Sequence, residues 1–275
     1  MKSKLFLFVA IIPYVLLCGS MKKQEVPYII DFKNRFVKIS DTYYVDKYEV
    51  TIKDYKLFLT ERKEKGLDNS LVMYDSTLWE KTWESTSYGN KDYYFNDDLF
   101  QDHPVVGISY YSAIEFCRWL TDKYNSSSKK QYKKVLFRLP TEEEFIRVAS
   151  SGFDIEKIFY PWGNNTLYDQ KKDKLCNFTA LPQENLMFID RYELRYGYYN
   201  TLPNNSTQPV ASYGTTPYGV FDIVGNVSEM VQIDSIAMGG DFLSLGYEVR
   251  TTSKKIYKDK DITVGFRVYM EILEF

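Results

Sequence analysis

Residues 137–145 read Phe137-Arg138-Leu139-Pro140-Thr141-Glu142-Glu143-Glu144-Phe145. Pro140 favours an extended approach. Thr141 then offers its hydroxyl to the third helical N–H, and Glu144 reaches back to the Thr141 N–H, which is a capping box. Phe145, Val148 and Ala149 give the helix an apolar face, and Gly152 is a fitting stop. The helix this predicts is short and stands alone. Two others are legible in the same way. Thr51 caps a helix carrying Tyr55, Phe58 and Leu59. Ser109 caps one through about Tyr124, with Ala113, Phe116, Cys117 and Leu120 at helical spacing.

Between these helices lie long Tyr-, Asn- and Gly-rich segments. Tyr44–Val50 and the run from Val264 alternate as strands do. Trp79, Trp83 and Tyr93-Tyr94-Phe95 fall in the stretch 60–103. Such rings either line a binding loop or pin a long loop to the core, and large burial energies favour the second. No internal repeat or boundary signal divides residues 36–275, which read as one domain.

The chain has 275 residues, enough to bury a substantial core. Its formal net charge of −2 gives no basic excess, so nucleic acid is not an expected partner. One His and three Cys exclude a multi-His metal site and a disulfide scaffold. The 25 Tyr imply large amphipathic rings packed into irregular structure or presented on a surface.

The N-terminus opens Met-Lys-Ser-Lys, and Leu5–Leu17 is almost wholly apolar, the pattern of a secretory signal over residues 1–20. The apolar run falls short of the ~20 residues a membrane span needs. Leu16-Leu17-Cys18-Gly19-Ser20 resembles a bacterial lipobox. The resemblance implies cleavage before Cys18, lipidation of its thiol, and an exported protein anchored to the membrane of the cell envelope. Leu17 stands where most lipoboxes carry a small residue. Residues 21–35 read as a tether.

In order along the chain come Lys47-Tyr48-Glu49-Val50-Thr51, His103-Pro104-Val105-Val106-Gly107-Ile108-Ser109-Tyr110 and Phe116-Cys117-Arg118-Trp119-Leu120. The 137–145 stretch follows, then Tyr160-Pro161-Trp162-Gly163, Pro209-Val210, Gly219–Glu229, Gly239-Gly240 and Gly265-Phe266-Arg267. Together they resemble the formylglycine-generating enzyme family, or sulfatase-modifying-factor domain, as a bacterial lipoprotein-like member. The resemblance implies an α+β, C-type-lectin-like fold with much irregular structure. Arg138 and Arg267, as charges in apolar settings, are expected to find carboxylate or carbonyl partners.

The family's aerobic oxidases hold copper(I) with two cysteines in the stretch matching Gly239–Gly265. That stretch contains no Cys here, so no copper is expected and no catalytic residue is assigned. Cys117 matches a core position, and Cys176 lies in another segment. A related iron-dependent branch needs several His ligands, whereas His103 stands alone. The resemblance implies calcium at Val224-Gly225-Asn226-Val227-Ser228-Glu229, through the side chains of Asn226 and Glu229 and the carbonyls of Gly225 and Val227. A plain tight turn at Gly225-Asn226 explains the same residues. Ser228 and Met230 stand where the family usually has Trp. A second family calcium site, beginning at Asn177, lacks its upstream Asp.

The expected function is a lipid-anchored, non-catalytic binding or assembly module for a protein, peptide or glycan ligand. The alternative is a sulfur-oxidising enzyme of the family that works without the usual cysteines. A calcium-dependent lectin lacks a distinctive acidic motif.

Overall fold

The computed structural model describes residues 32–79, 93–180 and 206–275. Cys18 and Trp83 therefore lie outside the described residues. The helices are α1 (Phe32–Arg35), α2 (Ile52–Glu64), α3 (Tyr93–Asn96), α4 (Tyr110–Ser126) and α5 (Glu142–Ser150). The strands are β1 (Phe36–Lys38), β2 (Tyr43–Asp46), β3 (Lys134–Arg138), β4 (Ser228–Met230), β5 (Ile236–Met238), β6 (Lys254–Ile256), β7 (Val264–Gly265) and β8 (Tyr269–Glu274).

All three legible helices start where their caps predict. Thr51 and Thr141 form full capping boxes with Asp54 and Glu144, and the Ser109 hydroxyl accepts from the Ser112 N–H. Helix α5 ends at Ser150 with Ser151 as its C-cap, so Gly152 (φ +85°) stands just past the end, as expected, and Ser151 (φ 49°) already takes the left-handed conformation.

Two small sheets organise the rest. One has the order β1-β2-β8-β3, all antiparallel. The other runs β6-β5-β4-β7, with β4 and β7 parallel. The final alternating run is divided between them. Val264–Gly265 pairs with β4, the chain crosses over at Phe266–Val268, and Tyr269 onward pairs with β2 and β3. The first alternating run also stops short. The Asp46 carboxylate accepts from the Tyr48 N–H at 3.1 Å, an Asx-type turn that ends β2 before Val50.

The core is dominated by rings. Trp79, Tyr94 and Phe95 are fully buried, so the described part of the 60–103 stretch pins to the core. The core also reaches back into the expected tether. Phe32 is buried against Phe36, Tyr44 and Tyr124, with ring centroids 4.8–5.8 Å away. Each such ring removes ~150–250 Å² from water, which compensates for the sparse regular structure.

Arg267, fully buried at the crossover, joins the two sheets. It donates to both Glu229 oxygens of β4 (2.7–3.1 Å) and to the carbonyls of Asp46 (3.2 Å) and Phe221 (2.8 Å). Arg138 is held by Glu144 and Glu271 at 2.7–2.8 Å. Both arginines thus have the partners their settings demand.

Candidate functional site

A cleft of about 740 Å³ opens on the second sheet, between β6, the 241–248 turn and residues 261–263. It occupies the stretch between the Gly-Gly and Gly-Phe-Arg motifs. Gly240 makes the wall possible. Its φ is +72°, and a Cβ there would stand 2.5 Å from the Glu248 carbonyl oxygen, so only glycine lets the two lining segments meet.

The cleft holds a charge network. Lys255 Nζ donates to Asp241 Oδ2 at 2.9 Å and to Thr263 Oγ1, and lies 3.8 Å from Asp261 Oδ2. Asp241 is nearly fully buried. Its carboxylate also accepts from Ser228 Oγ (3.1 Å) and the Leu243 N–H (3.0 Å). Ser228, one of the departures from the family pattern, is fully buried behind the cleft and holds Asp241 from within. Asp261 Oδ1 accepts from the Thr263 N–H (2.8 Å) and hydroxyl (2.6 Å). Tyr247 and Ile256 stand exposed on the rim. An ammonium bracketed by two carboxylates is a hydrogen-bonding and ion-pairing surface for a polar ligand.

Reading the sequence did not single out Asp241, Lys255, Asp261 or Thr263. The available signals were an Asp directly after Gly-Gly and the Asp-x-Thr turn at 261–263. Lys255 reaches Asp241 through the β5–β6 pairing, which motif spacing does not reveal.

The cysteines lie elsewhere. Cys117 belongs to the core around α4, and Cys176 to a second core around Phe145 and Val224. Both are free thiols, and burial pushes each up to about 12. Among the described residues the cleft lining presents carboxylates, ammonium groups and hydroxyls and no sulfur or imidazole. That donor set does not fit copper(I), a soft ion that selects thiolates. His103 is also outside the cleft lining, with Nδ1 2.8 Å from Thr207 Oγ1. Burial lowers it to about 4, so the ring is neutral at pH 7.

The loop expected to hold calcium is tightly bonded. Asn226 Oδ1 accepts from the Gln208 N–H (2.8 Å) and Asn177 Nδ2 (3.2 Å), and its Nδ2 donates to Glu49 Oε1 (2.9 Å). Gly225 (φ +75°) approaches the Asn177 carbonyl so closely that a Cβ would lie 2.5 Å from it. Glu229 has both oxygens on Arg267. These side chains do not fit a calcium ion while those bonds stand, which leaves the carbonyls of Gly225 and Val227. Among the described residues no group of three or more His, Cys, Asp and Glu side chains is placed to hold a metal.

Behind this loop, Glu49, Asp222 and Glu229 crowd around Arg267. Burial raises Glu49 well above the usual carboxylate range, and Asp222 pushes it further. Burial raises Asp222 to about 6, against the N–H groups of Ala211 and Tyr213 that its carboxylate accepts. Glu49 Oε2 is buried without a partner among the described residues.

Residues 17–272 match the model of the sulfatase-modifying factor enzyme 1-like domain. The formylglycine-generating enzyme of Mus musculus is 24% identical over 214 residues, 69% of this chain and 48% of the mouse protein. That of Thermomonospora curvata is 29% identical over 128 residues, 46% of this chain and 32% of its own. The serine/threonine-protein kinase pkn1 of Chlamydia pneumoniae is 28% identical over 133 residues, 48% of this chain, and the match takes up only 14% of the kinase. The chain thus spans half or less of the length of these curated relatives. Among solved structures, CarF superposes with a TM-score of 0.54 at 19% identity, covering 84% of this chain and 86% of CarF. PvdO from Pseudomonas aeruginosa gives 0.51 at 17%, covering 83% and 80%. The α+β fold is that of the sulfatase-modifying factors, and the chain belongs to the sulfatase-modifying factor enzyme 1-like domain family.

Proposed function

We propose that this protein is an exported, lipid-anchored binding or assembly module whose cleft holds a polar protein, peptide or glycan ligand without thiolate–copper oxidation. One observation supports the reading above the others. The Gly239–Gly265 stretch, where the family's oxidases place their copper-holding cysteines, lines this cleft with Asp241, Lys255, Asp261 and Thr263. Replacing soft sulfur by hard oxygen and ammonium groups removes the copper chemistry and leaves a surface built for polar recognition.

Anaerobic copper(I) titration of the protein, paired with oxygen uptake on Cys-containing peptides, tests the reading. The expected result is no stoichiometric tight binding and no uptake above background. Tight binding with uptake overturns it. The anchor is tested by metabolic fatty-acid labelling, and label that survives Cys18→Ser removes Cys18 from the account.

A second reading is favoured by the resemblance to the formylglycine-generating enzymes of Mus musculus and Thermomonospora curvata. Under it the protein oxidises a protein or small-molecule sulfur without the usual cysteines. Oxygen uptake without copper binding would support that reading.

A further inference from the structure

The end of the molecule where the described chain begins carries charge and exposed apolar groups together. Tyr132 joins the features of this end. Its hydroxyl lies 2.5 Å from that of Tyr44, whose ring packs on Phe32 of α1, and its ring meets Phe275 edge-on at 6.0 Å. The loop around it reads Lys129-Lys130-Gln131-Tyr132-Lys133-Lys134. Lys129, Lys133 and Lys134 are exposed, and Lys130 Nζ donates to the Asn125 carbonyl at 2.7 Å. Beside them Phe275 is 73% exposed and Leu273 46%. Asp41 (paired with Lys38 at 2.7 Å), Asp122 and Glu274 are the exposed acids here, Glu274 opposite Lys134 in the β3–β8 register; with Lys38 counted, the lysines outnumber them.

We propose that this face, the 129–134 loop with Leu273 and Phe275, lies on an anionic phospholipid surface and holds the cleft away from it. The inference rests on the lipid-anchor reading above. Lysines attract anionic headgroups within a Debye length, and a basic patch strengthens an acyl anchor that is marginal alone. Exposed Phe and Leu beside the lysines enter the headgroup boundary. Thirteen residues separate Cys18 from Phe32. Attachment at Cys18 alone does not dictate which face of the domain meets the lipid, and contacts on the domain set it.

Helix α4 gives the direction. Its C-terminal turn contains Tyr124 and Asn125, which bond to the lysine loop and β3. Its N-terminal end follows Gly107, whose N–H donates to the carbonyl of Asp261 in the cleft. Tyr110, its first residue, donates to the Gln232 carbonyl near β5. With 17 residues, α4 sets the two features about 25 Å apart. The cleft therefore lies beyond the end of α4 opposite the loop, away from the lipid that the loop meets.

The test uses the full acylated chain in vesicles of phosphatidylcholine with phosphatidylglycerol, of phosphatidylcholine alone, and in detergent. Exposed lysines are acetylated and quantified by mass spectrometry. On anionic vesicles Lys129, Lys133 and Lys134 should label about tenfold more slowly than in detergent, while Lys171 and the cleft's Lys254 keep their rates. On phosphatidylcholine alone the protection should fall away. Flotation with the vesicles but uniform labelling overturns the orientation and leaves the anchor standing. Failure to float overturns both.

Discussion

Replacing Arg267 by Met removes a guanidinium that ties the two sheets together. The side chain is fully buried and donates to both oxygens of Glu229 and to the carbonyls of Asp46 and Phe221. Met restores much of the volume but none of the charge. Glu229 would then face Glu49 and Asp222 without its counter-charge, and two buried carbonyls would lose their donor. Breaking a buried pair in this way costs about 3–5 kcal/mol. For a domain of this size that lowers the melting midpoint by about 6–20 °C. Urea unfolding followed by Trp fluorescence measures the change, with m compared between variants so that a shifted denatured state is not mistaken for lost stability. The double variant Arg267→Met, Glu229→Gln supplies the control. Neutralising the stranded carboxylate should recover part of the loss and give a clear coupling energy. If Arg267→Met lies within about 1 kcal/mol of the parent, or the double variant is no better than the single, the crossover does not hold the sheets as argued.

Three further outcomes follow from the same geometry. Glu49 and Asp222 are raised in the folded state, so the stability they allow is complete below their unfolded values and is lost as pH rises, for Asp222 through about 6. Glu49→Gln keeps the acceptor for Asn226 and should flatten the fall in urea midpoint between pH 5 and pH 8; an unchanged slope refutes the assignment. Chelator should leave the melting midpoint within about 1 °C, because Asn226 and Glu229 are already satisfied, and a drop of several degrees would restore calcium to the 224–229 loop. Gly240→Ala forces a Cβ into the Glu248 carbonyl at φ +72° and should destabilise by about 1–3 kcal/mol while distorting the cleft; thermal melts alongside the near-UV dichroism of Tyr247 read both effects.

Local chemistry was legible in the sequence, and long-range pairing was not. The capping boxes at Thr51 and Thr141 need only residues within four positions, so their starts fell where expected. The alternation from Val264 did signal strand, but a period of two does not name the partner, and the chain changes sheets at Phe266–Val268. Asp46 ended a strand that the same alternation had extended to Val50. At the candidate site, the stretch that lacks the family's cysteines is the one that lines the cleft. The residues that replace them come together through the β5–β6 pairing and the turn after Gly240. The burial of Glu49 was equally hidden, since an acid in a strand-like run ordinarily points to water.

The parallel pairing of β4 with β7 sets Ser228 beside Val264 and Glu229 beside Gly265. The segment between those two pairs returns to the sheet it left, and Arg267 bolts the join from within. On the way it is pinned at several points: Phe242 and Val249 are buried in the two cores, the Thr251 N–H donates to the Phe159 carbonyl, and the Asp261 carbonyl accepts from the Gly107 N–H. Residues 231–263 are therefore a panel laced into the wall rather than a detachable loop. Its exposed stitches, such as Tyr247 and Ile256, can be exchanged without unpicking the buried ones.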